Sequence, residues 1–304
     1  MRVARLYHEQ GVKQADIARS LHLSSARVSR LLARAVEVGV VQTIVLPPEG
    51  AHLDLEEQLR ERFGLDDVVI ADPGTGDTIP TLGQAAARYL ERTIHGERCI
   101  TISAWSSTLV SVIEQLRPPP GCTVGTIAQL SGGYGTPRAQ SSGHRILLRL
   151  ATLTNADAVL VPSPGMLGST EARDSLLADP AVRRALDVAR NASVALLGIG
   201  AMSPSWLIRE SGNAMPEGAL DALRTAGAVG DICLRYVDKH GTQIRSEFDK
   251  RLVSLDLDDL VGIPRRIGVA GGMEKVEAIA GVLHGGWLTT LITDVEVGQA
   301  LLRL

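Results

Sequence analysis

Apolar residues recur at helical spacing in two short stretches near the start of the chain. Gln14–Leu21 places Ile17, Ala18 and Leu21 on one face, and after a break at His22-Leu23-Ser24 the pattern resumes over Ser25–Val38 with Val28, Leu31, Leu32 and Ala35. This spacing predicts two amphipathic helices around a tight turn, a helix-turn-helix. Ala18 is small where the helices must approach closely, Leu23 can plug the turn, and Val28 and Leu31 can pack back on the first helix. Ser24 or Ser25 supplies a hydroxyl to cap the second helix. His22 stands where a turn glycine is common.

The pattern then changes. Val40–Leu46 is a β-branched run that reads as a short strand, and Pro47-Pro48-Glu49-Gly50 interrupts it. We therefore expect an all-α N-terminal domain over 1–48 and a larger domain over 49–304. Leu53–Phe63 predicts a helix that could link domains or pair subunits. Beyond it, short apolar runs alternate with helical stretches: Asp67–Ala71 then Leu82–Ile94, Cys99–Ile102 then Ser107–Leu116, Thr123–Leu130 then His144–Leu153. The alternation continues through Ala158–Pro162, Val182–Asn191, Ser193–Ile199, Gly218–Thr225, Asp231–Val237, Arg266–Ala270, Val276–Leu283 and Leu291–Ile292. Such a chain forms a parallel sheet with helices on both faces, a Rossmann-like α/β domain.

Ligands of such sheets bind beyond the C-terminal strand ends, where backbone amides and helix N-termini collect. Four loops there carry candidate chemistry. Ile100–Thr108 ends a strand in hydroxyls, Ser106, Ser107 and Thr108, suited to an anion. Ala128–Gly135 offers Gln129, Gly133 and Tyr134. Gly198-Ile199-Gly200 allows close backbone approach, and Ile267–Lys275 runs through Gly271-Gly272 to Lys275 in the first turn of a helix. A cation there opposes the helix dipole unless an anion is bound.

Charge sharpens the division. The chain has a net charge of −3, yet residues 1–45 hold seven basic and three acidic side chains, +4, which leaves −7 for the remainder. A small basic module on an acidic body suits a protein that touches a polyanion through one end. The second helix would enter a major groove with Ser25, Arg27, Ser29, Arg30 and Arg34 outward, Ser24 at its start, and Gln14 against the phosphate backbone. Aromatics make up 3% of residues, which excludes a surface of stacked rings for single strands. The apolar runs are far shorter than a membrane span, and the N-terminus lacks a signal-peptide pattern, so a cytoplasmic protein with no membrane contact is expected. Cys99, Cys122 and Cys233 are widely spaced and read as reduced core thiols, and the histidines lack metal-ligand spacing, so neither a metal nor a cofactor is expected.

Taken together, the segments Leu6-Tyr7, Gln14–Ala18, Val28–Leu32, Gly198–Gly200, Gly227–Asp231, Gly268–Gly272 through Lys275–Ile279, and Leu291–Asp294 resemble those of the SorC (sorbitol operon regulator) family of bacterial transcriptional regulators. The resemblance covers nearly the whole chain. It implies a sugar-binding domain similar to glucosamine-6-phosphate deaminases and ribose-5-phosphate isomerases, binding of operator DNA, control by a sugar, polyol or phosphorylated derivative, and a homodimer or homotetramer. Carried over by position, it places the phosphate loop on Ser106, Ser107 and Thr108, adds Gln129 and Tyr134 from the next strand end, and matches Asp231 and Lys275 to family positions. Relatives commonly show glycines around a tryptophan in the first loop, where Ser103, Ala104 and Ser106 stand here and should narrow the pocket.

The competing class is an enzyme, a sugar-phosphate isomerase or deaminase with an appended DNA module. Those enzymes need a general base and often a ring-opening histidine. Here Gly198-Ile-Gly200 continues Ala-Met-Ser-Pro-Ser with no Asp-Gly-His segment, which favours a binder in which Asp231 accepts hydrogen bonds from sugar hydroxyls. A third reading, a recombinase with a similar DNA helix, would need a catalytic serine or tyrosine segment, and none is recognisable in this sequence.

Overall fold

The computed structural model describes residues 1–41, 52–103, 106–133, 137–203 and 218–304, with no side-chain description for 137–142. The chain divides into two compact units, Met1–Ala51 and His52–Leu304. Within the first, a turn of helix at Arg2–Ala4 runs into a π-helical stretch, Arg5–Glu9, ahead of helices α1 (Gln14–Ser20) and α2 (Ser25–Glu37). The N-terminal helical stretch was not expected from periodicity. Its Val3 packs in one cluster with Ile17, Ala18, Val28 and Leu32. Leu31, expected inside, is exposed, because a 3.6-residue period running through Val28 turns Leu32 and Ala35 inward instead. His22 takes a positive φ of 50°, the left-handed turn conformation that glycine adopts most readily. Val41 donates to the Ala35 carbonyl in a bend after α2, and the rest of the strand expected over 40–46, like the expected boundary at 48, lies outside the described residues.

The second unit runs α3 (Leu53–Phe63), β1 (Asp67–Ala71), α4 (Thr78–Thr93), β2 (Cys99–Ile102), α5 (Ser107–Gln115), β3 (Thr126–Gln129), α6 (Pro137–Leu153) and β4 (Asp157–Val159). It continues with α7 (Thr170–Ala178), α8 (Pro180–Arg190), β5 (Val194–Ala201), α9 (Ala219–Thr225), β6 (Ala228–Ile232), β7 (Arg235–Asp238), α10 (Leu257–Val261), β8 (Arg265–Val269), α11 (Val276–His284), β9 (Thr290–Asp294) and α12 (Val295–Leu301). Helices α7, α10 and α12 were not anticipated. They are short, 9, 5 and 7 residues, and too brief to show a clear apolar period.

Seven strands pair in parallel in the order β1-β9-β8-β5-β2-β3-β4. Successive residues of β5 divide between its faces: Val194 and Leu196 join a cluster with Leu90, Leu109 and Leu147 of α4, α5 and α6, whereas Ala195 and Leu197 join Leu59, Leu186 and Ile279 of α3, α8 and α11. A strand covered on both faces must be apolar throughout, which is why Val194–Ile199 carries no polar residue.

The sheet is not wholly parallel. The run Asp231–Val237, expected as one strand, folds as the hairpin β6–β7, and β6 pairs antiparallel with the end of β5, Gly200 opposite Asp231. The turn residues Cys233 and Leu234 both take positive φ, 56° and 63°, which suits the right-handed twist of a two-residue hairpin but is rare for such side chains. No glycine or asparagine marks this turn, so the periodicity read straight through it.

The junction is tight. A methyl group on Gly200 would overlap the Asp231 carboxylate, whereas one on Gly168 would meet nothing within 4 Å. Gly200→Ala should therefore cost about 1–3 kcal/mol, as overpacking does, while Gly168→Ala stays within about 0.5 kcal/mol. Urea unfolding of the two variants against the parent measures both, and equal midpoints would contradict this account of the β5–β6 fit.

Candidate functional site

Two groups of residues carry candidate chemistry, one in each unit. In the first unit, Ser24 supplies the cap of α2, its Oγ accepting from Arg27 N at 3.2 Å. The expected contact residues Ser24, Ser25, Arg27, Ser29, Arg30 and Arg34 are all exposed, and Gln14 is half-buried at the start of α1. The arginines of this unit differ in their surroundings. Arg5 pairs with Glu9 at 3.0 Å and Arg19 with Asp16, but among the described residues Arg27, Arg30 and Arg34 have no acidic partner. Three unneutralised guanidinium groups on one exposed helix face form a surface for an external anion.

In the second unit the C-terminal ends of β2, β3, β5, β8 and β9 share one sheet edge, and Ser106 after β2 and Asp231 of β6 lie against the end of β5, with Lys275 after β8 near Asp231. Ser106 caps α5, its Oγ accepting from Leu109 N at 3.3 Å, and its Cβ lies where a methyl on Gly198 would fall, 2.5 Å away. The glycines of β5 thus admit the protein's own side chains, Ser106 over Gly198 and Asp231 over Gly200. Ser107 is half-buried and Thr108 fully buried, so Thr108 belongs to the packing of α5 beneath the loop.

Asp231 is 7% exposed. Burial pushes its carboxyl up to about 6, against the opposing pull of the Leu234 N–H, which donates to Oδ2 at 2.8 Å, and of the Lys275 charge. Lys275 is itself held below its ordinary value, by burial first, with Glu274 and Asp231 pulling the other way. Each charge therefore favours the other without fully compensating its desolvation. Cys233 sits beside them, pushed up to about 12 by burial and the Asp231 charge, with a hydrogen bond to the Ser103 side chain acting in the other direction. The Ser103 hydroxyl is therefore engaged by the hairpin.

The other expected residues stand as follows. Gln129 is buried at the end of β3; its Oε1 accepts from Val161 N at 3.3 Å, while its Nε2 has no partner among the described residues. Two strand spacings separate β3 from β5, about 10 Å, so a ligand the size of a sugar could reach both. Gly133 donates to the Ser163 carbonyl at 2.8 Å and accepts from Gly165, so its backbone serves the fold. Tyr134, like Ala104, lies outside the described residues. Lys275 is not inside a helix: it closes the 3-10 turn Met273–Lys275 and stands at the N-cap of α11. Gly271 is half-buried, and Gly272 donates its amide to Asp294 Oδ2 at 2.8 Å, so that amide is already used. Sequence reasoning missed Asp294 in this role. Its only signal was an acidic residue directly ending an apolar strand.

A cavity of about 560 Å³ lies elsewhere in this unit, lined in part by Arg173, Arg235, Arg245, Lys250 and Ser254. Its cations are already neutralised: Arg235 by Asp249 and Asp256 at 3.2 and 2.9 Å, Lys250 by Glu247 at 2.5 Å, Arg173 by Asp174 at 3.2 Å, and Arg245 more loosely by Asp258 at 3.8 Å. The strand-end cluster, with its incompletely compensated pair, is the stronger candidate.

The chain resembles known proteins over nearly its whole length. Residues 48–303 match the family model described as "Putative sugar-binding domain". The chain is 29% identical to the deoxyribonucleoside regulator of Bacillus subtilis over 303 residues, covering 99% of this chain and 96% of that one. It is 30% identical to the transcriptional regulator LsrR of Escherichia coli K12 over 306 residues, covering 99% and 93%. Among solved structures, the full-length sorbitol operon regulator SorC from Klebsiella pneumoniae superposes with a TM-score of 0.74 at 26% identity, over 99% of this chain and 97% of that one. With a family match over most of its length and such relatives over nearly all of it, the chain belongs to the SorC-type sugar-binding-domain family of regulators.

Proposed function

We propose that this protein is a cytoplasmic DNA-binding transcriptional regulator of a carbohydrate or polyol catabolic operon, controlled by a sugar, polyol or phosphorylated derivative bound at the strand-end cluster. The observation that carries the reading is the α2 face, where Arg27, Arg30 and Arg34 have no acidic partner among the described residues. In this reading α1 and α2 are a helix-turn-helix, α2 lies in the major groove, and the 1–48 segment is the reader. A single small reader buries little surface on DNA, so two readers held about one helical turn apart imply a dimer or tetramer. The likeness of the larger domain to glucosamine-6-phosphate deaminases and ribose-5-phosphate isomerases is taken as one of architecture.

At the effector site, Lys275 supplies a cation beside Asp231, Ser106 and Ser107 offer hydroxyls at the start of α5, and Gln129 Nε2 offers a donor unmatched among the described residues. A ligand hydroxyl donating to Asp231, and an anionic group beside Lys275, would replace the water each lost on burial. Turnover is not part of the proposal. The chain lacks the Asp-Gly-His segment after Gly200, and Asp231 already accepts from Leu234 N. Assaying sugar-phosphate consumption beside DNA retention separates the enzyme from the regulator.

Three outcomes are expected. Arg30→Ala weakens binding to a selected operator by about 1–3 kcal/mol and relaxes the preference at one base position. Anisotropy titration over operator variants reads this; equal weakening on every sequence assigns Arg30 to phosphate, and unchanged binding for both Arg27→Ala and Arg30→Ala removes α2 from the groove.

A thermal-shift screen over sugars, polyols and their phosphates identifies the effector, because a ligand at 100 times its dissociation constant stabilises by about 2.7 kcal/mol. Lys275→Ala then loses most of that shift and keeps operator binding in the absence of effector. Retained effector affinity in calorimetry, with an unchanged response on DNA, would displace the site from this edge.

The third concerns pH. The fold raises the Asp231 carboxyl from 3.8 to about 6, so the fold prefers its protonated form. That preference is fully expressed below about pH 4 and is lost as pH rises through 6, leaving a charge-burial cost on the order of 3 kcal/mol above it. Asp231→Asn carries no such charge. Its urea midpoint should exceed the parent's at pH 8 and converge with it near pH 4; a difference independent of pH would rule out a buried ionised carboxylate.

A further inference from the structure

Asp294 ends β9, and its buried carboxylate makes two backbone contacts in opposite directions. Oδ2 accepts from Gly272 N at 2.8 Å, in the loop that leads to Lys275, and Oδ1 accepts from Val297 N at 2.9 Å, in the first turn of α12. One rigid group thus ties the strand-end loop to the last helix. That helix is packed in turn on α3. A methyl on Gly298 would lie 3.2 Å from Leu55 Cδ2 and 3.3 Å from Leu59 Cδ1, and Arg62 Nη1 donates to the Leu302 carbonyl at 2.7 Å. Leu59, Val297 and Leu301 are fully buried together in one core cluster.

Helix α3 is the first element of the larger unit, and residues 42–51 join it in sequence to the reader. Its chain entry is anchored at the same sheet edge. His52 Nε2 lies 3.3 Å from Asp72 Oδ2, one residue beyond Ala71, and Ala71 is paired with Asp294 in the β1–β9 register. Glu56 Oε1 also accepts from Ile70 N at 2.9 Å, fixing α3 against the edge strand. Continuous contacts of short range therefore run from the Gly271-Gly272 loop, through Asp294 and α12, to the helix at which the chain enters this unit.

We propose that Asp294 is a positioning residue that couples the conformation of the Gly272–Lys275 loop to α3, so that occupation of the strand-end site is felt where the chain leaves for the reader. This rests on the strand-end site being the effector site, but the coupling itself is a property of the empty protein and is tested there. Asparagine at 294 keeps one acceptor, enough for the α12 cap, and turns an N–H towards the other donor. Asp294→Asn thus loosens the Gly272 contact and leaves the helix cap in place. Gly298→Ala perturbs the α12–α3 contact and touches no residue of the site.

Hydrogen–deuterium exchange on the full chain, without ligand or DNA, tests the coupling in both directions, since coupling between two segments is reciprocal. Asp294→Asn is expected to speed exchange at Gly272–Lys275 and also in α3 around Glu56–Arg60, at least fivefold, with α8 unchanged as the control. Gly298→Ala is expected to speed exchange at Gly272–Lys275 by a similar factor. Effects confined to the segment carrying each substitution would overturn the proposal. So would faster exchange throughout the unit in Asp294→Asn with no response of the loop to Gly298→Ala, which would make Asp294 a merely structural anchor. Coupling found here while no sugar or phosphate binds would instead overturn the effector reading alone.

Discussion

The fold must place a carboxylate at the end of an apolar parallel strand and keep it there out of water. Asp231 reaches that position because β6 turns back antiparallel on β5, and β6 can do so because Cys233 and Leu234 accept left-handed backbone conformations. The glycine at 200 provides the space. Among the described residues the carboxylate then has one backbone donor, Leu234 N, and one nearby cation, Lys275, which is itself partly desolvated. The two charges help one another, but burial outweighs that help for both. In the proposed reading, a polar ligand that supplies further hydrogen bonds to this pair offsets part of that desolvation, which would favour hydroxyl or anionic groups.

The contrast between satisfied and unsatisfied charge organises the rest of the molecule. Over the larger unit, many arginines are spent on acids or carbonyls: Arg265 on Glu97 at 2.6 Å, Arg190 on Asp259 at 2.8 Å, Arg266 on the Ile263 carbonyl at 2.7 Å. Among the described residues, three arginines along one exposed face of α2, Arg27, Arg30 and Arg34, have none. Neutralised arginines hold structure together, and in the proposed reading those on α2 meet DNA phosphate instead.

Much of this was legible in the sequence because it depends on periodicity. The strands at Asp67–Ala71 and Cys99–Ile102 and the helix at Leu53–Phe63 match the expected bounds, since each is a clean run of one period between breakers. The hairpin was not legible: its turn lacks glycine and asparagine, and Cys233 and Leu234 are apolar residues that continue the strand pattern. Nor were the partners of the loop glycines. The glycine loops suggested that Gly198, Gly200 and Gly272 admit a ligand, yet the Ser106 and Asp231 side chains fill the space at the first two and the Asp294 carboxylate takes the amide of the third. Contacts between residues 22 to 92 positions apart leave no local trace. Asp231 was singled out by the family resemblance, and Lys275 by the resemblance and because a lysine after a double glycine is locally anomalous; the structure brings the two charges close enough to act on one another.

The scale of these interactions bears on whether one side chain can carry regulation. Coupling between two sites in a regulator is typically about 1–3 kcal/mol. A hydrogen bond to a charged group contributes about 1.5–3 kcal/mol. The single bond from Gly272 N to Asp294 is thus comparable with the whole coupling that a response to effector requires, provided that it differs between the empty and occupied loop. It need not break. Because Asp294 is 3% exposed and held at both oxygens, a shift of the loop that bends or lengthens one bond has no water to compensate it, and the cost passes to α12 and from there to α3. Close packing at Gly298, where a methyl would lie 3.1 Å from Ile70 Cδ1, leaves little room to absorb that shift before it reaches the helix at which the chain enters this unit.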